Sequence, residues 1–61
     1  MRIVHEGRGG YVELEGERYA IEHVADGRFC IHVPRGTRSA HVEALRRCVD
    51  EAPTRWTIER R

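Results

Sequence analysis

An α+β fold is predicted for this chain of 61 residues: a small antiparallel sheet of four to five strands followed by one C-terminal amphipathic helix. Three observations carry that expectation. Apolar and polar residues alternate with a period of two between Gly10 and Pro34, the alternation is cut at Gly16 and at Asp26-Gly27, and it then gives way to helical spacing. Side chains alternate across a strand but recur every three or four residues on a helix, so the change of period marks a change of element.

Arg2 to His5 reads as a short first strand, and Gly7-Arg8-Gly9-Gly10 as a loop. Tyr11 to Glu15 places Val12 and Leu14 on one face and Tyr11, Glu13 and Glu15 on the other, the pattern of a half-buried strand. A turn at Glu15-Gly16-Glu17 leads to a third strand, Arg18 to Val24, in which Tyr19 and Ile21 share a face. The Asp26-Gly27 pair suits a tight hairpin. The fourth strand, Arg28 to Val33, points Phe29, Ile31 and Val33 inward and Arg28, Cys30 and His32 outward, until Pro34 ends regular pairing.

The segment from Pro34 to Ser39 is either a loop into the helix or a loop with a short edge strand ending near His41. Ser39 is suited to cap a helix whose apolar stripe is Val42, Leu45, Val49 and Ala52, with Cys48 beside it. Glu43, Arg46, Arg47, Asp50 and Glu51 then face water, and Glu43 and Arg47 stand at a favourable spacing. Pro53 marks the helix end, and Thr54 to Glu59 alternates again, as either a last strand or an extended arm carrying Trp56 and Ile58.

A chain this short makes one domain, residues 1–61, and a lone domain near this size is marginal unless something such as dimerisation assists it. Two cysteines are too few for a disulfide framework. They suit a reducing compartment, so a cytoplasmic setting is expected. Neither a signal peptide nor a membrane span is expected, since no apolar run is long enough.

Net charge is only +1 and every cationic side chain is arginine, which excludes the strong basic excess of a non-specific nucleic-acid binder. Up to Val33 there are four arginines against six acids, and from Pro34 onward seven against four. The second half is therefore the basic half. Arginine offers a planar fork that suits phosphates, guanine edges and carboxylates.

No enzyme is expected: a thiol nucleophile paired with His32 or His41 lacks an orienting carboxylate, and a domain this small rarely encloses a catalytic cleft. No cofactor is expected either. A zinc site built from Cys30, His32, His41 and Cys48 fails on spacing, because seven residues of helix between His41 and Cys48 rise about 10.5 Å while each ligand must lie within about 2.3 Å of the ion. The glycines at 7, 9 and 10 are not a phosphate loop, since a strand and not a helix follows them.

Met1-Arg2-Ile3-Val4, Gly9, the Val12 and Leu14 alternation, Gly16, Gly27, Phe29-Cys30-Ile31-His32-Val33, Pro34-Arg35-Gly36 and His41-Val42-Glu43-Ala44-Leu45 occur in an order that resembles the carbon storage regulator family. The resemblance spans about residues 1 to 49 and requires several short deletions near residues 24 to 36. It implies five short strands and a C-terminal helix, two chains exchanging strands into an intertwined homodimer, and binding of Gly-Gly-Ala-containing messenger RNA loops to repress translation. The family carries a basic pair after its first strand, where this chain has Glu6-Gly7, and an arginine before its helix, where this chain has His41-Val42.

Two functions follow as expectations. One is a homodimeric RNA-binding translational regulator that contacts single-stranded or hairpin-loop RNA through Arg2, Arg8, Arg35, Arg38 and His41. The alternative is a non-enzymatic protein-interaction module, an inhibitor or adaptor, that offers the outer sheet face of Glu13, Glu15 and Glu22 or a strand edge to a protein partner.

Overall fold

A computed structural model describes residues 1–61. Four strands form an antiparallel meander: β1 (Arg2–Glu6), β2 (Gly9–Leu14), β3 (Glu17–Ala25) and β4 (Arg28–Val33). The helix α1 (Ser39–Glu51) follows, and β5 (Trp56–Arg60) then pairs in parallel with β4, giving a five-stranded sheet in the order β1-β2-β3-β4-β5. The α+β architecture expected from the sequence is present, with the Thr54–Glu59 alternation resolved as a strand. Lengths explain its direction. A strand of six residues spans about 20 Å and a helix of 13 residues rises about 20 Å, so α1 returns the chain to the end at which β4 began. Four strands precede the helix and the fifth follows it within the same chain, an order that differs from the five-strands-then-helix arrangement the resemblance implies.

The turns are shorter than the sequence suggests. Gly9 and Gly10 belong to β2, which leaves only Gly7-Arg8 to join β1 and β2. Between β2 and β3 the connection is Glu15-Gly16, with φ of 49° and 82° at the two residues. Two left-handed residues in succession give the turn twist that matches paired strands, and this places Glu15 where asparagine, aspartate or glycine is usual. A register shift between His23 and Ala25 pushes Val24 outward, where it is 54% exposed.

One face of the sheet is covered by α1 and the other is not. Val12, Leu14, Tyr19, Ile21, Ile31 and Val33 from the sheet, Leu45 and Cys48 from the helix and Trp56 from β5 form a single buried cluster, with Phe29 and Ile58 packed partly against it. The helix is rotated from the expected stripe: His41, Leu45 and Cys48 are its buried residues, whereas Val42 and Val49 are only half buried. Its start also differs. Arg38 is the N-cap residue and makes no side-chain cap, and Ser39 is the first helical residue. The Pro34–Thr37 turn, closed by the Thr37 hydroxyl donating to the Pro34 carbonyl at 2.7 Å, replaces any edge strand before His41. No helix is long and apolar enough to cross a membrane.

Burial pushes the Tyr19 phenol above its ordinary range, with the Glu17 carboxylate adding to the effect and Arg38 opposing it. Burial, aided by Glu51, likewise raises the Cys48 thiol. Both groups hold their protons more tightly folded than unfolded, so their contribution to stability is complete below the unfolded values of 10.0 and 9.0 and declines as pH rises through the folded ones. Urea unfolding midpoints should therefore fall above about pH 9. Tyr19→Phe should flatten the part of that decline beyond about pH 10, while losing about 1 kcal/mol at neutral pH with the hydrogen bond. An unchanged alkaline slope in Tyr19→Phe would contradict this assignment.

Candidate functional site

At the end of the sheet where β1 turns into β2, three connections that are distant in sequence converge. The Gly7-Arg8 turn is tied to β3 by the His23 amide donating to the Arg8 carbonyl at 3.0 Å. The segment after the helix is tied to β4 by the Phe29 amide donating to the Arg55 carbonyl at 2.7 Å. Between them opens a cleft of about 560 Å³ lined by His5, Gly7, Arg8, His23, Asp26, Phe29 and Arg55.

The floor of this cleft is aromatic. His5, His23 and Phe29 project from the helix-facing side of the sheet, because His5 opposes Gly10 in β2 and His23 opposes Phe29 in β4. The helix does not cover this end. Ring centres of His5 and His23 lie 5.2 and 5.3 Å from that of Phe29, and Trp56 lies 5.4 Å from it on the buried side. The Arg55 guanidinium stands 5.9 Å over the Phe29 ring. Two exposed arginines at the rim, two imidazoles and the half-buried Phe29 ring thus share one opening with the Asp26 carboxylate. Such a set can stack a planar ring, neutralise an anion and hydrogen-bond a polar edge.

No family model, curated protein or solved structure matches this chain.

Of the five residues expected to contact RNA, Arg8 alone lines this cleft. Arg35 and Arg38 sit at the opposite end, in the turn after β4 and at the helix start, and Arg38 lies 3.8 Å from Glu15 in the far β2–β3 turn. About 20 Å of strand separates them from Arg8. Arg2 lies on the exposed first strand, opposite Glu13. The proposed basic cluster is therefore divided between two ends of the sheet.

His41 is corrected more sharply, because it is 4% exposed. Its Nδ1 accepts a hydrogen bond from the Tyr19 hydroxyl at 2.7 Å, which leaves Nε2 to donate toward Glu15 Oε2 at 3.5 Å. This chain of contacts fastens the helix to the sheet and to the strained Glu15-Gly16 turn. A macromolecular ligand has no route to the ring. The acids of the alternative reading are also engaged within the chain: Glu13 with Arg18 at 3.3 Å, Glu22 with His32 at 2.8 Å and Glu15 with Arg38 and His41.

His5, His23, Phe29 and Arg55 are the site residues that sequence reading missed. Nothing local marks them. Their association depends on the register that pairs His5 with Gly10 and His23 with Phe29, and on the parallel return that places Trp56 beside Phe29.

Proposed function

We propose that this protein is a small regulator that binds single-stranded or hairpin-loop RNA at the cleft between Arg8 and Arg55, with Phe29, His5 and His23 as the stacking surface. The observation that supports this reading is the concentration of two exposed arginines around an aromatic floor in one open cleft. Unpaired bases gain by stacking on rings and guanidinium planes, while phosphates gain from arginine forks. A duplex offers no splayed base to such a floor, so loops are the preferred target. The expectation that Arg8 contacts RNA is retained in this reading, and the contact surface moves from the helix start to the opposite end of the sheet. The resemblance to the carbon storage regulators is consistent with an RNA target and with a homodimer, for which the exposed edge of β1 is the available pairing strand. Two free cysteines suit a reducing, cytoplasmic setting.

Titration of fluorescent RNA hairpins at two salt concentrations tests the reading. Wild-type protein should bind with an affinity that falls as salt rises. Arg8→Ala and Arg55→Ala should each weaken binding and reduce the salt slope by roughly 1 if each meets a phosphate. Arg35→Ala and Arg38→Ala should bind as wild type. Absence of binding at low salt, or a loss confined to the Arg35 and Arg38 variants, would sink the proposal. In that case the protein-interaction module, acting through the β1 edge, is the reading that stands. Light scattering separately tests the homodimer: a mass of two chains is expected, and that of one chain would exclude it.

A further inference from the structure

The sheet face opposite the helix carries a set of side chains that the cleft does not use. Cys30 and His32 project from this face as alternate residues of β4, and Glu59 stands beside His32 in the parallel register of β5. One ligand atom from each of Cys30, His32 and Glu59 lies within 4.8 Å of the other two. Glu22, on the neighbouring strand β3, holds the imidazole in place with Oε1 2.8 Å from His32 Nε2.

The protons make this arrangement informative. A carboxylate only accepts, so Nε2 carries the hydrogen given to Glu22, and in the neutral ring Nδ1 is left as a bare lone pair. That Nδ1 is buried and has no hydrogen-bond partner. Glu59 Oε2 stands 3.8 Å from it, beyond hydrogen-bond reach in this geometry. A nitrogen lone pair and a carboxylate oxygen thus face each other, while the neighbouring Cys30 thiol turns its weak donor to the Ile31 carbonyl at 4.0 Å. Such a convergence favours a proton or a metal cation between the two.

We propose that Cys30, His32 and Glu59 bind a divalent transition-metal ion of the zinc type, with Glu22 as the positioning residue that fixes the imidazole. Sulfur, imidazole and carboxylate together favour zinc or cobalt over magnesium and calcium, which take oxygen ligands. Ligand atoms arranged tetrahedrally about 2.0–2.3 Å from one zinc ion stand roughly 3.3–3.8 Å apart, so side-chain rotations that draw the three atoms together by about 1 Å close the set. Cys30 loses its thiol proton to solvent on coordination, and its sulfur becomes the anionic ligand. The uncovered face leaves a fourth position for water. Carboxylate, imidazole and metal then stand in the sequence by which a hydrogen-bonded acid orients a metal-binding histidine. Cys30 and His32 stand at strand spacing, whereas His41 and Cys48, the other two residues of the four-residue zinc set that fails on spacing, lie on the helix beneath the opposite sheet face.

Titration of the reduced protein with cobalt(II) tests the assignment. One equivalent should produce a near-ultraviolet thiolate-to-cobalt charge-transfer band with visible ligand-field bands, release one proton per chain, and be displaced by zinc(II). Cys30→Ser should abolish the charge-transfer band, and Cys48→Ser should leave it intact. Glu22→Gln should weaken affinity about tenfold to a hundredfold. Among the three ligands Glu59 is the most exposed, at 52%, so Glu59→Gln is the ligand variant that disturbs folding least; it should also weaken binding, and should remove the rise in melting temperature that zinc gives the wild type. Affinity unchanged in Glu59→Gln would overturn the site, as would cobalt bound without the charge-transfer band, which would point to histidines such as His5 and His23, or a band that survives Cys30→Ser, which would point to Cys48.

Discussion

Gly10→Ala should detach β1 from the sheet and lower stability by about 2–6 kcal/mol, combining about 1–3 kcal/mol from overpacking with a similar amount from backbone strain. Gly10 has a φ of 138°, and a Cβ built on it would stand 1.9 Å from the Val4 carbonyl oxygen and 2.9 Å from its carbon. Both are backbone atoms of the adjacent strand, so no rotamer change relieves the contact. Relief requires opening the β1–β2 ladder in which Gly10 opposes His5. Native-state hydrogen exchange should show lost protection at the amides paired between β1 and β2, with the β3–β4 pair retained. Gly7→Ala is the appropriate comparison. Its φ of 58° is also left-handed, yet its Cβ would meet nothing within 4 Å, so only the conformational cost of about 1–2 kcal/mol applies. Equal melting temperatures for the two variants would exclude the close strand approach as the cause. The same substitution bears on function: His5 lines the cleft from β1, so a detached first strand should weaken RNA binding even where the rest of the fold survives.

The contrast between these glycines also shows what the sequence made legible. Strands β2 to β4 could be read because each has a buried and an open face, and the helix could be read because its apolar spacing is unambiguous. Gly10 reads as part of a loop, since nothing in a run of glycines says which member approaches a neighbouring backbone. His41 reads as an RNA contact near the helix start and stands outside the apolar stripe of Val42, Leu45, Val49 and Ala52. Yet positions 41, 45 and 48 share one helical face, and with the histidine counted as apolar the observed rotation of α1 follows. The cleft and the outer-face cluster belong to another category. His5, Arg8, His23, Phe29 and Arg55, or Cys30, His32 and Glu59, meet only after strand register and the direction of β5 are fixed. Residue spacing along the chain carries little of that information, and the direction of the last strand rests on the matched lengths of β4 and α1.

Ile31→Ala should unfold a large fraction of the molecules. Ile31 is 0% exposed, opposes Ile21 in β3 and Ile58 in β5, and belongs to the cluster sealed by Leu45. Truncating a buried isoleucine to alanine costs about 2–5 kcal/mol, through lost transfer energy and the cavity left behind. A chain of this length has about 3–9 kcal/mol of stability in total. With a single layer of helix on a single sheet, no second core is present to absorb the loss. Val24→Ala removes a comparable apolar side chain from the adjacent strand, but Val24 is 54% exposed on the bulge, and its loss should stay within about 0.5 kcal/mol. Urea unfolding of both variants decides the matter. Similar midpoints would mean that the helix-facing side chains of β4 do not carry the core. A deep loss for Ile31→Ala alone places the stability of the chain on its helix-facing side, which leaves the outer face, with Cys30, His32 and Glu59, free for ligand chemistry.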